Sequence, residues 1–215
     1  MHEAVPSSRI IKPTILEDGP VYALVARSTL FRRGLDRPQR ELIGSILMDP
    51  YRVFRGMACF DEGAFGKVFT FSPDEALGLP KLAVKVGHIP FHWFMVNAGM
   101  RISLESRGVE LDVGSRAPLV ATAPDYYGYH NPDPGAQRGD VAVMSFAEGG
   151  HPGYSSEAQS SRNLAILDTV QSLMPNWPLG YSDVDSRPPN IVIDPQGTKA
   201  TVLDVGNLRE AREQI

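Results

Sequence analysis

One cysteine, Cys59, stands in 215 residues, so no intramolecular disulfide can form. That suits a reducing, cytoplasmic compartment. No apolar run reaches the ~18 residues of a membrane-spanning helix. Residues Met1 to Arg9 lack the basic-then-apolar form of a secretory signal. A polar, unpatterned signal for delivery into a host cell stays open. Positive charge is not in excess: the net charge is −4, which argues against non-specific nucleic-acid binding as the main task. His2, His92, His130 and His151 are scattered without metal-ligand spacing. There is no Gly-x-Ser-x-Gly elbow and no internal repeat. Gly63 to Lys67 is too short for a Walker loop and leads into the strand-like Val68-Phe69-Thr70. What remains is ordinary for a globular chain of one domain or two small lobes, with 42% hydrophobic and 21% charged residues.

Two motifs stand out near the C-terminal end. One is Asp185-Ser186-Arg187-Pro188-Pro189-Asn190, and the other is Asp204-Val205-Gly206. Between them lie two short apolar runs, Ile191-Val192-Ile193 and Thr201-Val202-Leu203, which read as strands. Upstream, Asp61-Glu62-Gly63-Ala64-Phe65-Gly66-Lys67-Val68 fits G-x-G-x-x-G-x-V at every position but the first. Gly63 and Gly66 carry no Cβ, so the backbone there can approach a bound group closely. Leu82-Ala83-Val84-Lys85-Val86 is an apolar strand broken only by Lys85. An ammonium in a half-buried strand costs free energy unless it is paired.

Taken together, in this order, these motifs resemble the protein-kinase-like superfamily over Tyr51 to Asn207. The resemblance implies an α+β fold of two lobes, with a five-stranded antiparallel sheet above and a much reduced helical part below. It implies an ATP- and Mg²⁺-dependent phosphotransferase, a serine/threonine protein kinase in its simplest form. In that reading Lys85 holds the α- and β-phosphates, and a helix Glu positions Lys85. Glu105 is preferred for that role, with Glu110 as the alternative. Asp185 orients the substrate hydroxyl, Arg187 neutralises the γ-phosphate, and Asn190 and Asp204 bind Mg²⁺. Gly63, Ala64, Phe65 and Gly66 cover the phosphates. Val68 and Ala83 line the adenine site and Met144 backs it. Backbone groups of Phe146 to Glu148 hydrogen-bond the adenine edge.

Departures narrow the resemblance. Asp183-Val184-Asp185 stands where the family has His-Arg-Asp, and without the Arg an activating phosphorylation is not expected. Val205 replaces Phe of Asp-Phe-Gly, and Asp61 replaces the first loop Gly. Eleven residues, Val205 to Ile215, follow Asp204. In this the chain resembles the minimal virulence-effector kinases of Gram-negative pathogens, which keep the catalytic core and discard most of the lower lobe. A folded host or cellular protein is then the expected substrate. Two other readings stay open: a pseudokinase that binds nucleotide and a partner, and a small-molecule kinase of the antibiotic-phosphotransferase type.

The layout expected is an extension over 1–50, an upper lobe over 51–148 and a lower lobe over 149–215. Val21 to Leu30 and Glu41 to Met48 read as helices. Between them Arg32, Arg33, Arg37 and Arg40 form a basic cluster: a solvated face, or a site for an acidic partner or an anionic membrane surface. Strands are expected at 51–60, 67–72, 82–86, 119–129 and 140–146. Helices are expected from Phe91 to Leu111 and from Glu157 to Leu173. Cys59 reads as a buried, inert strand thiol, and Trp93 and Trp177 as packing residues.

Overall fold

The structure is a computed structural model. It describes residues 22–26, 29–63, 66–91, 93–94, 97–99, 110–111, 119–133, 139–150 and 191–203. Of the expected site residues, Ala64, Phe65, Glu105, Asp185, Arg187, Asn190 and Asp204 lie outside these, as does the helix expected over 157–173.

In chain order the strands are β1 (Tyr22–Ala26), β2 (Thr29–Arg32), β3 (Asp61–Gly63), β4 (Gly66–Phe71), β5 (Leu82–Gly87), β6 (Glu110–Leu111), β7 (Leu119–Thr122), β8 (Tyr126–His130), β9 (Asp140–Ser145), β10 (Ile191–Ile193) and β11 (Lys199–Val202). The helices are α1 (Arg37–Met48) and the single turn α2 (Pro50–Val53). Seven strands form an antiparallel sheet in the order β1-β2-β8-β9-β5-β4-β3. A smaller sheet runs β10-β11-β7-β6, with β7 and β11 parallel.

The large sheet is buried on both faces at its centre, which is why β5 and β9 read as nearly unbroken apolar runs. Alternation still sorts their side chains. Leu82, Val84 and Val86 of β5 join Val141 and Val143 of β9 in one core. Ala83 joins Ala142 and Met144 in the other. Lys85 follows Ala83 by two and so shares its face. Over the first face lies α1, which buries Ile43, Ile46 and Leu47 at helical spacing. Each such side chain stabilises the fold by roughly 1.5–3 kcal/mol.

Several expectations are corrected. Of the helix expected over Val21 to Leu30, the described residues are strands: Tyr22–Ala26 pairs with Thr29–Arg32, with Leu24 opposite Leu30, and β2 pairs onward with β8. The short apolar run fits either period, and the free edge of β8 decides it. Consequently the sheet has seven strands rather than five. Helix α1 begins at Arg37, four residues before the expected start. Asp36 caps it by accepting from the Gln39 amide at 2.8 Å, while the Gln39 side chain accepts from the Asp36 amide at 3.0 Å. No strand covers 51–60. Pro50 and the Asp49 cap on the Arg52 amide form α2 instead.

The 119–129 strand is two strands in two sheets. Pro124 supplies no amide for a ladder, and the chain crosses from β7 to β8 there. The 91–111 helix is helical at Phe91, Trp93, Phe94 and 97–99, but Glu110 lies on β6 opposite Val120. Glu110 is therefore a strand residue rather than a residue of the helix end. Cys59 lies outside any strand and is half-buried, and its thiol donates to the Asp61 carbonyl at 2.7 Å.

The arginine cluster is divided among separate contacts. Arg32 pairs with Asp125 at 2.9 Å and lies over the Tyr127 ring. Arg37 pairs with Glu41 one turn along α1, and Arg40 donates to the Asp36 carbonyl. Such exposed helix pairs contribute little.

Candidate active site

A cavity of about 390 Å³ opens beneath β3, β4 and β5. Its wall is built by alternation. Val68 stands opposite Lys85 across the β4–β5 ladder, and Ala83 opposite Met144 across β5–β9. All four line the cavity. Ser145, Phe146, Ala147, Gly149 and Gly150 line it where the chain leaves β9. Val192 of β10 and Leu203, just past β11, line it from the small sheet. Phe60, Asp61, Trp93 and Pro124 complete the lining.

Two glycines of the β3–β4 turn have different roles. Gly66 has φ +139, and a Cβ there would press on the Val86 carbonyl. Its bareness lets β4 close on β5 rather than serving a ligand. A Cβ on Gly63 would meet nothing within 4 Å, so that backbone is open to a bound group. Neither glycine lines the cavity among the described residues. Asp61 stands where a glycine was expected. Its carboxylate accepts from the Glu62 amide at 2.9 Å, and Glu62 pairs with Lys67 at 3.4 Å. The lip of the cavity is thus acidic but locally partnered.

The segment after β9 presents its backbone unequally. The Phe146 amide donates to the Lys81 carbonyl at 2.8 Å, and the Ser145 amide to the Asp125 carbonyl at 2.8 Å. Neither amide is left for a ligand. The Ala147 amide is the next along the lining. The Phe146 ring meets Phe60 edge-on at 5.2 Å and carries the Lys81 ammonium at 4.1 Å. Glu148 is exposed and is not among the residues that line the cavity. Gly149, at φ +143, redirects the chain there.

The hairpin β10–β11 lies between the two C-terminal motifs. Ile191 pairs with Val202, and Ile193 with Ala200. Its open end is where Asn190 and Asp204 attach. The closed end is fixed by Asp194, which accepts from the Thr198 and Lys199 amides, both at 2.7 Å, and from the Thr198 hydroxyl at 2.7 Å. Desolvation pushes the Asp194 pKa up, but those donors and the Lys199 charge outweigh it and hold the carboxyl below its ordinary range.

On the Lys85 face of the sheet, Asp140 is 1% exposed and accepts from the Ile89 amide at 2.9 Å. Burial raises its pKa, against the pull of that amide and of His88 and His130. Tyr129 donates to the Ile89 carbonyl at 2.9 Å. Burial and Asp140 hold its phenol protonated well above the usual range, despite a hydrogen bond with Asn131.

Sequence reasoning missed several lining residues. Trp93 is the most consequential: the Lys85 ammonium sits 4.3 Å from its ring centroid. Phe60, Pro124, Val192 and Leu203 were also not singled out. Val192 and Leu203 carried a weak signal, since they belong to apolar runs joining the two motifs.

No family model and no curated protein matches the chain. Among solved structures it is similar to the crystal structure of Rad53 1–466 in complex with AMP-PNP. The identity is 19% over 70% of this chain and 37% of that one, with a TM-score of 0.40. The chain thus spans well under half the length of that structure.

Proposed function

We propose that the chain is an ATP- and Mg²⁺-dependent phosphotransferase with an alcohol acceptor, a minimal serine/threonine protein kinase acting on a folded protein of its own cell or of a host. One observation carries the reading. Lys85, Val68, Ala83 and Met144 converge on one cavity with Val192, within the hairpin between the Asp185–Asn190 motif and Asp204, and Leu203, just past it. A volume of about 390 Å³ suits a nucleotide-sized ligand.

In this reading the adenine lies between Val68 and Ala83 above and Val192 and Leu203 below, with Met144 behind. The Ala147 amide donates to the adenine edge, because the Phe146 amide is already committed. Lys85 neutralises the phosphates, with Glu105 as its helix carboxylate. Asp185 orients the acceptor hydroxyl and takes its proton, and Arg187 offsets charge on the transferring group. Asn190 and Asp204, attached at the open end of β10–β11, would hold Mg²⁺, which supplies further charge neutralisation. The chain contributes positioning and electrostatics rather than a covalent intermediate.

A second reading, nucleotide binding without transfer, is favoured by Asp61. Asp61 lines the cavity where the resembling family has glycine. One experiment separates the two. The protein is incubated with Mg²⁺ and γ-labelled ATP, alone and with a cell lysate, beside Asp185→Ala. Label on protein that disappears in the variant supports transfer. Saturable nucleotide binding without label supports the second reading. Neither binding nor label overturns both.

A further inference from the structure

We propose that Trp93 is the positioning residue of Lys85, its indole face holding the ammonium at the cavity wall without neutralising it. The contact is direct, with Nζ 4.3 Å from the ring centroid, inside the ~6 Å range of a cation–π interaction. The opposing strand residues on the same face, Val68 and Ala142, are apolar and leave the indole face as a wall of the Lys85 site. An aromatic face attracts a cation through its quadrupole and keeps the full charge available. A carboxylate attracts more strongly but competes with incoming phosphates. Trp93 therefore orients the Lys85 ammonium along the cavity wall. A carboxylate such as Glu105 acts in addition, not instead.

The indole is itself fixed. Trp93 is 9% exposed and meets Tyr126 edge-on at 6.2 Å. Tyr126 meets Phe94 edge-on at 5.5 Å, and Phe94 stacks on Tyr129 at 4.9 Å. The Asn97 side chain donates to the Trp93 carbonyl at 2.9 Å, one turn along the helix. The ring thus stands at the end of a packed aromatic row, braced from behind. That is what a positioning residue requires: a partner that does not move when the ligand arrives.

The contact does not depend on the phosphotransferase reading, although its use does. The test separates the two. The chain has two tryptophans, so Trp177→Phe leaves Trp93 as the sole indole. In that background Lys85→Met should shift Trp93 emission, with no nucleotide present. Mg²⁺-ATP should also change the emission saturably, and only while Lys85 is present. Trp93→Leu should lower kcat about two- to thirtyfold with little change in KM for ATP, and Trp93→Phe should recover part of the loss. In the Lys85→Met background, Trp93→Leu should not weaken nucleotide binding further. Emission indifferent to Lys85→Met overturns the proposal, as do equal losses for Phe and Leu. If no nucleotide binds yet Lys85→Met still shifts the emission, the phosphotransferase reading falls and the Trp93–Lys85 contact stands.

Discussion

Gly150 and Ile193 exchange both backbone hydrogen bonds, each at 3.1 Å. This bridge joins the segment leaving β9 to the hairpin between the two C-terminal motifs. Gly149 makes it possible. Its φ of +143 suits glycine alone, and a Cβ would run into the Ile193 carbonyl. Gly149→Val should break the bridge and cost about 1–3 kcal/mol, from backbone strain and the clash. Urea unfolding reads the loss directly. Turnover should fall by more than the unfolded fraction explains, because the cavity loses its floor. Stability unchanged from wild type would show that the approach is not as close as described.

In the proposed reading the Ala147 amide is the donor to the adenine edge, since the Ser145 and Phe146 amides are committed to backbone carbonyls. Ala147→Pro deletes that amide and should weaken ATP binding at least about tenfold, the value of one hydrogen bond left unmade in a desolvated site. Ala147→Gly keeps the amide and should bind normally. Isothermal titration of both variants makes the comparison. Equal affinities would move the adenine contact elsewhere.

Lys85→Met should leave the fold intact, since the side chain stays apolar and of similar length. Turnover should nevertheless fall about a hundredfold or more, the usual loss for an oriented charge on a transferring phosphoryl group. Circular dichroism and label transfer measured on one preparation test both halves of the statement.

Asp194 links the closed end of the β10–β11 hairpin to pH. Its carboxyl is held below the ordinary range in the folded chain. Its contribution is therefore fully present above the unfolded pKa and is lost as pH falls through the lowered folded value. Asp194→Ala should lower thermal stability at neutral pH, and the difference from wild type should shrink toward strongly acidic pH. A difference that stays constant with pH would mean that packing, not the carboxylate, holds the turn.

Asp140 has the opposite sign. Burial raises its pKa, so the folded chain binds the proton more tightly than the unfolded chain. Stability is lost as pH rises from the ordinary carboxylate range through the raised value. Asp140→Asn keeps an acceptor for the Ile89 amide and carries no charge. It should raise Tm at neutral pH, by about 2–4 °C for each kcal/mol recovered, and give no gain at low pH. A Tm lowered at neutral pH would show that the ionised carboxylate is stabilising.

The motifs singled out Lys85, Val68, Ala83 and Met144, and strand alternation, being local, puts them on one face whatever the chain does elsewhere. The hairpin runs Ile191–Ile193 and Thr201–Val202 were legible for the same reason. The hairpin at Tyr22–Arg32 was not. A short apolar run fits either period, and only the unpaired edge of β8, about a hundred residues away, makes it a strand. Pro124 was visible, but not that the chain changes sheets there. Trp93 carried no signal at all, because nothing in the run from Phe91 to Asn97 says which side chain will meet an ammonium eight residues earlier. Local periodicity and motif spacing assigned residues to faces. Which faces meet was decided by pairing between distant segments, where the buried area and the ladder hydrogen bonds become available only after the chain has closed.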